Sequence, residues 1–458
     1  MTMTTIKFLQ SILDDGIKRN NFYNGRILTA EDLKKEQEAC IETNRRTNIV
    51  AGEGVVYGLE VRCAGTTTDP VLSIDPGMAI SRGGSTLYLG SPVDINLVTK
   101  NDISSSSIFN NCQIKQEFLT GFGAYLLIIS PASDYEGYVS TNTIPPAAGG
   151  SNCGRKYITQ GIQFGLVKVN PGFISSSSLS SGLAQSMGGT SEEDKNKTRN
   201  LLAHLCFGTQ DKKVFLRDPF FESSESDDIL DDNYGLIEAM RQKGDLTNDD
   251  VSLALLLWTN NGLSFLDMWS VRRKTVRKTP AGNWHLFLGE RNPAEAEACF
   301  LQFQSQIDDI RKNRKTTLSS ISALKCFSFL PPLGIIPVQG SFIQGYMVEF
   351  GGKEFNLKNN PGFYPPAFFA GMTCRQPVVI EGAKLEAAMR ESLAYPPVDT
   401  ESGEFIWLYL VRENLEAIKA GKVKPYLIFA SGHMPYIGNA RYDLSRWDYS
   451  NYSSIFDS

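Results

Sequence analysis

With 458 residues the chain is too long for one ordinary domain, and 41% hydrophobic with 21% charged residues matches folded globular proteins and excludes collagen-like and wholly disordered classes. Its 45 basic and 50 acidic side chains leave a formal net charge of −5, so no broad cationic surface is expected to recruit nucleic acid. The longest apolar runs, Ala124 to Ile129 and Leu253 to Trp258, fall far short of the roughly 20 residues that cross a bilayer, and Met1 to Asp15 builds no secretory apolar segment, so synthesis in the cytoplasm without a signal peptide is expected.

Residues 1–100 read as an N-terminal helix followed by a small β domain. Thr29 and Asp32 form a capping pair, which predicts a helix from about Ala30 to Asn48. Leu33, Cys40 and Ile41 are the large apolar residues on that helix, a narrow stripe that calls for a polar partner or a second protein. Gly52, Gly54 and Gly58 miss the spacing of a dinucleotide fingerprint and follow a helix instead of a strand, so they predict a tight reversal and no cofactor. Strands are expected at Val55 to Val61, Val71 to Ile74, Thr86 to Leu89 and Val93 to Leu97. Asp75-Pro76-Gly77 is expected to turn through a positive φ at the glycine, and Gly83-Gly84 to close a hairpin.

Residues 101–170 read as a β extension with strands at Ala124 to Ser130 and Tyr157 to Val169, joined by a loop from Thr143 to Gly154. Residues 171–330 read as a central β-rich and helical part that opens with a flexible Ser/Gly loop, 173–191. A helix at Glu192 to His204 and a hairpin of Val251 to Trp258 with Leu263 to Val271 follow, and Pro293 predicts a helix start running to Lys315. The rigid stretch Leu330-Pro331-Pro332-Leu333-Gly334 suggests a boundary, and 331–458 reads as a C-terminal α+β or small α/β unit. Its strands are predicted at Phe342 to Phe350, Glu404 to Val411 and Pro425 to Ala430, with helices at Gly382 to Leu393 and Glu413 to Ala420. The fold class is therefore a multidomain α+β protein, rich in β structure.

Little in this pattern points to catalysis. His204, His285 and His433 are isolated from nucleophile motifs; His204 sits among Leu201, Leu202, Leu205 and Phe207, as a core residue would. The eight cysteines lack zinc-site spacing and read mostly as buried reduced thiols, so no metal and no cofactor is expected. Acidic pairs at Asp14-Asp15, Asp227-Asp228 and Asp231-Asp232 match no calcium loop. The basic run Arg272, Arg273, Lys274, Arg277 and Lys278 reads as a solvated turn or a contact with an acidic partner. Aromatics at Phe363, Tyr364, Phe368 and Phe369, and from Tyr436 to Tyr452, either dock a partner or cap the last core.

Two blocks resemble a known family. Asn21 to Gln37 (NFYNGRILTAEDLKKEQ), Arg45-Arg46 with Asn48, Gly54 to Val61 (GVVYGLEV) and Asp75 to Ile80 resemble an N-terminal module of proteins encoded with phage-tail-like contractile injection systems. Asp250 to Trp258 and Gly262 to Arg273 are similar to a later block of the same proteins. The resemblance implies a baseplate-associated or shell-forming structural part, whose partners are baseplate or sheath proteins and copies of itself, in a particle that is retained or released. The candidate assembly contacts taken from these blocks are Phe22, Tyr23, Gly25, Arg26, Asp32, Gln37, Arg45, Trp269, Arg272 and Arg273. For Arg26 two readings stay open, an internal salt bridge or a contact across subunits. A glycan-binding module and an envelope-polysaccharide-degrading enzyme are the alternatives.

Overall fold

The computed structural model describes residues 16–97, 122–140, 153–169, 189, 191–210, 234–259, 261–276, 291–312, 321–337, 367–375, 377–419 and 426–437. It is a multidomain α+β structure dominated by small, mostly antiparallel sheets. Among these residues no helix is long and apolar enough to cross a membrane. Segment 173–191, apart from Gly189 and Ser191, lies outside them, as do the predicted strand Phe342 to Phe350, His285 and the three acidic pairs.

Helix α1 (Ala30–Ala51) starts where the Thr29 and Asp32 signal places it. Each of the two side chains takes a backbone amide of the other, and Gly52 at φ 91° stops the helix. Strands β1 (Gly54–Gly58), β4 (Gly77–Ile80) and β5 (Thr86–Leu89) form one sheet, while β2 (Val61–Gly65), β3 (Pro70–Ile74) and β6 (Val93–Asn96) form another. The single strand expected from Val55 to Val61 is thus two strands in different sheets, broken at Leu59, a non-glycine residue with φ 55°. Gly77 opens β4 and does not take the positive φ expected of it. Its need for a hydrogen side chain comes from the backbone of Tyr57 and Leu59, which a Cβ would strike.

Strand β7 (Gly123–Ser140) runs far beyond the expected Ala124 to Ser130, while β8 (Cys153–Lys168) begins a little before the expected Tyr157, so that Cys153 and Gly154 of the expected loop belong to it. With β9 (Val251–Thr259) and β10 (Gly262–Asp267) they make a four-stranded sheet in the order β10-β9-β7-β8. A division at 170/171 therefore cuts through one sheet. The β10 strand ends at Asp267, short of Val271, because the Asp267 carboxylate accepts the Ser270 amide at 3.0 Å and turns the chain. Ser191, the last residue of the expected loop, is the N-cap of helix α2 (Glu192–Phe207), with its hydroxyl paired to Asp194.

This sheet is buried on both sides. Leu126, Ile128, Leu255 and Leu257 face α2 and helix α3 (Leu236–Gln242), whereas Leu127, Ile129, Leu253 and Leu256 face the two small N-terminal sheets. Alternation fixes which core each residue of β7 joins, whereas β9 is bulged at Leu253 opposite Leu127 and Ile128, which puts Leu253 and Leu255 in different cores.

Helix α4 (Arg291–Lys312), the short α5 (Ala323–Cys326) and β11 (Phe329–Leu330) lead into β12 (Leu333–Pro337). Strands β12, β13 (Val378–Ile380), β15 (Ile406–Val411) and β16 (Tyr426–Ser431) form the last sheet, ordered β12-β16-β15-β13; β11 pairs separately with β14 (Val398–Asp399). Helix α6 (Gly382–Ser392) joins β13 to the following segment, and α7 (Arg412–Lys419) joins β15 to β16. The Leu330 to Gly334 stretch is no exposed linker: it is buried from end to end, because Phe303, Ile307 and Ile310 of α4 share a core with Leu330, Ile336, Leu408 and Phe429. Phe368 and Phe369 belong to that core, which decides for core packing at those two aromatics; Tyr436 packs partly buried against the other face of the sheet.

His204 is buried, with Nδ1 at 2.9 Å from the Thr209 hydroxyl and its ring 4.8 Å from that of Phe329. Burial pushes its pKa down to about 3. His433 lies on a loop with Nε2 3.4 Å from Glu404. Of the described cysteines, Cys206, Cys299 and Cys326 are buried, but Cys40 and Cys63 are exposed, contrary to the expectation of mostly buried thiols.

Candidate docking interface

The segment before α1 folds back on it as a hook. The turn Tyr23-Asn24-Gly25-Arg26 is closed by the Arg26 amide donating to the Tyr23 carbonyl at 3.2 Å, and Gly25 at φ 89° supplies the positive φ that the third position of such a turn demands. A Cβ on Gly25 would meet nothing within 4 Å, so conformation alone selects glycine here.

Arg26 holds the hook shut. One guanidinium nitrogen donates to the Asn21 carbonyl at 2.7 Å and another to Asp32 Oδ1 at 2.6 Å. Asp32 Oδ2 accepts the Thr29 amide at 3.0 Å and its hydroxyl at 2.9 Å. The Thr29 backbone bond is the largest of the influences that hold the Asp32 carboxyl below its ordinary range, with Arg26 adding to it. Asn20 adds two ties, its amide to Glu36 at 3.2 Å and its side chain to the Asp32 carbonyl. The internal-bridge reading of Arg26 is thus realised, as a clamp local to the hook.

The clamp leaves the apolar side chains of the same stretch outside. Phe22 is 56% exposed, Tyr23 65%, Ile27 86% and Leu33 55%. Gln37 is also exposed, and Ala39 is the buried residue of α1 among those described. Ile27 carries the largest exposure of this group and lay outside the expected contacts; the sequence signal for it was the apolar pair Ile27-Leu28 directly ahead of the cap at Thr29.

The far end of α1 is fastened to the body. Arg45 donates to the Ser85 hydroxyl at 3.0 Å and lies 3.7 Å from Asp249, and Asn48 donates to the Gly84 carbonyl at 2.9 Å. Arg45 is therefore an internal anchor. So are the residues of the second block. Arg272, buried, donates to the carbonyls of Leu59 (2.8 Å) and Gly58, and its guanidinium lies 5.7 Å from the Trp269 ring centroid. Arg273 donates to the Trp269 and Ser270 carbonyls, both at 3.1 Å, and stacks 4.6 Å over Phe207. Lys274 pairs with Glu297 at 2.5 Å. The expected outward role of Arg272 and Arg273 is corrected on these contacts: Arg272 points inward because the left-handed turn at Gly58-Leu59 aims its carbonyls at it, and Arg273 because the carbonyls of its own turn and the Phe207 ring take its guanidinium.

The two blocks that carry the resemblance are consequently neighbours in space. The Val55 amide donates to the Arg273 carbonyl at 2.9 Å, the Val276 amide to that of Glu53 at 2.9 Å, and the Leu263 amide to that of Thr67 at 2.8 Å. A second link, unforeseen from sequence, runs through Arg82, which is bidentate to Glu53 (2.9 Å twice) and bonds Glu238 on α3 at 2.6 and 2.9 Å. Burial works against its charge, but these two carboxylates outweigh it and raise its pKa.

Among the described residues no group of three or more His, Cys, Asp or Glu side chains is placed to hold a metal ion. No protein-family model and no curated protein matches the chain.

Proposed function

We propose that the chain is a non-catalytic structural component of a phage-tail-like contractile injection particle, docking at the baseplate or forming part of a shell around it. The carrying observation is the hook: a clamp of Arg26 and Asp32 spends its polar bonds on holding Phe22, Tyr23 and Ile27 in solvent. Rigid aromatics presented at little entropic cost are what protein interfaces use. The resemblance supplies the kind of partner, and the packing of its two blocks into one module supports reading them as a single functional unit.

The test is a pair of variants in particles purified from cells that make them. Phe22→Ser with Tyr23→Ser removes exposed side chains, so the melting temperature of the chain stays within about 2 °C, while its content in the particles drops at least tenfold. Particles that never contain the wild-type chain, or that incorporate the double variant as well as the wild type, would refute the reading.

A further inference from the structure

Strand β8 is an open edge. It is the outermost strand of the order β10-β9-β7-β8, and among the described residues no strand pairs with its outer side. Natural sheets blunt such edges with short strands, prolines, bulges or charges. Most of β8 has none of these: the strand runs 16 residues, holds no proline, pairs with β7 without a bulge, and carries no charged residue from Tyr157 to Val167. Strand β9 pairs with β7 only as far as Ile129, so towards Cys153 the sheet narrows to a two-stranded ribbon, a form that is marginal in water on its own. On one face of that ribbon Tyr135 and Ile158 stand directly opposite each other, 59% and 63% exposed.

We propose that the outer edge of β8 is a dimer interface, pairing antiparallel with β8 of a second copy of this chain across a two-fold axis at Ile158. The joint sheet then runs β10-β9-β7-β8-β8-β7-β9-β10, with β9 and β10 of each copy on the far side of its own β7, so the strands of one copy do not enter the space of the other. Ile162, Phe164 and Leu166, which pack on the N-terminal core, all lie to one side of Ile158 along the strand, and the antiparallel arrangement therefore sets the two cores at opposite ends of the joint. The side chains choose the register. With the axis at Ile158, the row Tyr135-Ile158-Ile158-Tyr135 crosses the joint on one face and gives each exposed isoleucine an apolar neighbour on both sides. The same register sets Lys156 against Gln160 and Arg155 against Gly161, so base does not meet base. Such an isologous contact uses the same surface on both subunits and closes at the dimer. The inference rests on the self-association part of the proposed function, but it is read on the purified chain, so it can fail while incorporation into particles stands, and the reverse.

The experiment is sedimentation of the purified full-length chain, joined to oxidative cross-linking. Wild type is expected to sediment as a dimer. Ile158→Lys sets two like charges against each other on the axis while altering a side chain that is exposed in the single copy. It should dimerise at least tenfold more weakly, with the circular dichroism of wild type. Cross-linking then reads the register, in a background of Cys40→Ser with Cys63→Ser that removes two exposed thiols. Ile158→Cys should give a covalent dimer under mild oxidation, whereas Gln160→Cys, roughly 13 Å out of register with its own copy, should not. A monomeric wild type, an Ile158→Lys variant that dimerises normally, or cross-linking no greater at position 158 than at 160 would overturn the proposal.

Discussion

At the scale of single residues, His204 shows how burial becomes a pH response. In the unfolded chain it titrates near 6.5, in the fold near 3, so between those values the unfolded state takes up a proton that the folded state refuses. Its contribution is complete above pH 6.5 and is lost as pH falls, by about 2 kcal/mol at pH 5. Asp267 acts in a lower window: burial alone would raise its pKa, but Arg199 at 2.5 Å and the Gln302 amide hold it below 3.8, and its stabilisation is lost only as pH falls through that lowered value. Denaturant melts from pH 7 to pH 5 should therefore show a slope that His204→Gln flattens; an unchanged slope in the variant would place the titrating group elsewhere. Asp267→Ala should cost about 3–5 kcal/mol at pH 7, because Arg199 would keep its charge at 5% exposure, met by a half-exposed Asp309 and the neutral Ser305 hydroxyl. Residues answered to the sequence where their partners are near: His204 could be read as core from its leucine neighbours, and Thr29 with Asp32 as a cap. Arg272 could not, because the carbonyls it meets lie more than two hundred positions earlier in the chain.

Among the elements, hairpins with glycine turns and helices with local caps were legible, since both signals span only a few residues. Val251 to Trp258 became a strand paired through Thr259 and Gly262, and Gly83-Gly84 closes β4 to β5. What escaped were features set by distant backbone. The break between β1 and β2 arises because Gly58, at φ 61°, runs against Pro76, leaving no room for a Cβ. Gly58→Ala should accordingly cost about 3 kcal/mol, from strained φ and overpacking together, whereas Gly25→Ala, strained but with open space, should cost about 1 kcal/mol. Urea titrations of the two variants check the ordering, and equal losses would remove the steric part of the account. The length of β7 also escaped, because beyond Ser130 the strand loses the apolar run by which it announces itself, whereas most of β8 was legible from Tyr157 onward.

On the scale of the whole molecule, composition carried the class but boundaries did not follow sequence position. Pro-rich and Ser-rich stretches look like joints, yet the sheet holding β7 and β8 is completed only by β9 and β10, and the last core borrows α4 from before its supposed start. Arg82 is the fastening that composition cannot show. Arg82→Ala should lower stability by about 2 kcal/mol, Arg241 partly covering the two carboxylates it leaves behind, and Arg82→Lys should recover less than half, since lysine cannot fork between them. Full recovery by lysine in thermal melts would mean that charge alone matters there. The interlocking has a consequence for synthesis. The two small N-terminal sheets leave the ribosome early and β7 follows soon after, but β9, which completes the cover of their apolar face, and the Arg272 to Val276 segment that clasps them follow roughly 150 to 180 residues later. At about 5–20 residues per second that core waits on the order of ten to forty seconds for its other half. The nascent chain thus carries a half-built domain through roughly two-fifths of its translation, and it is in this interval, rather than in the finished fold, that a chaperone would find it.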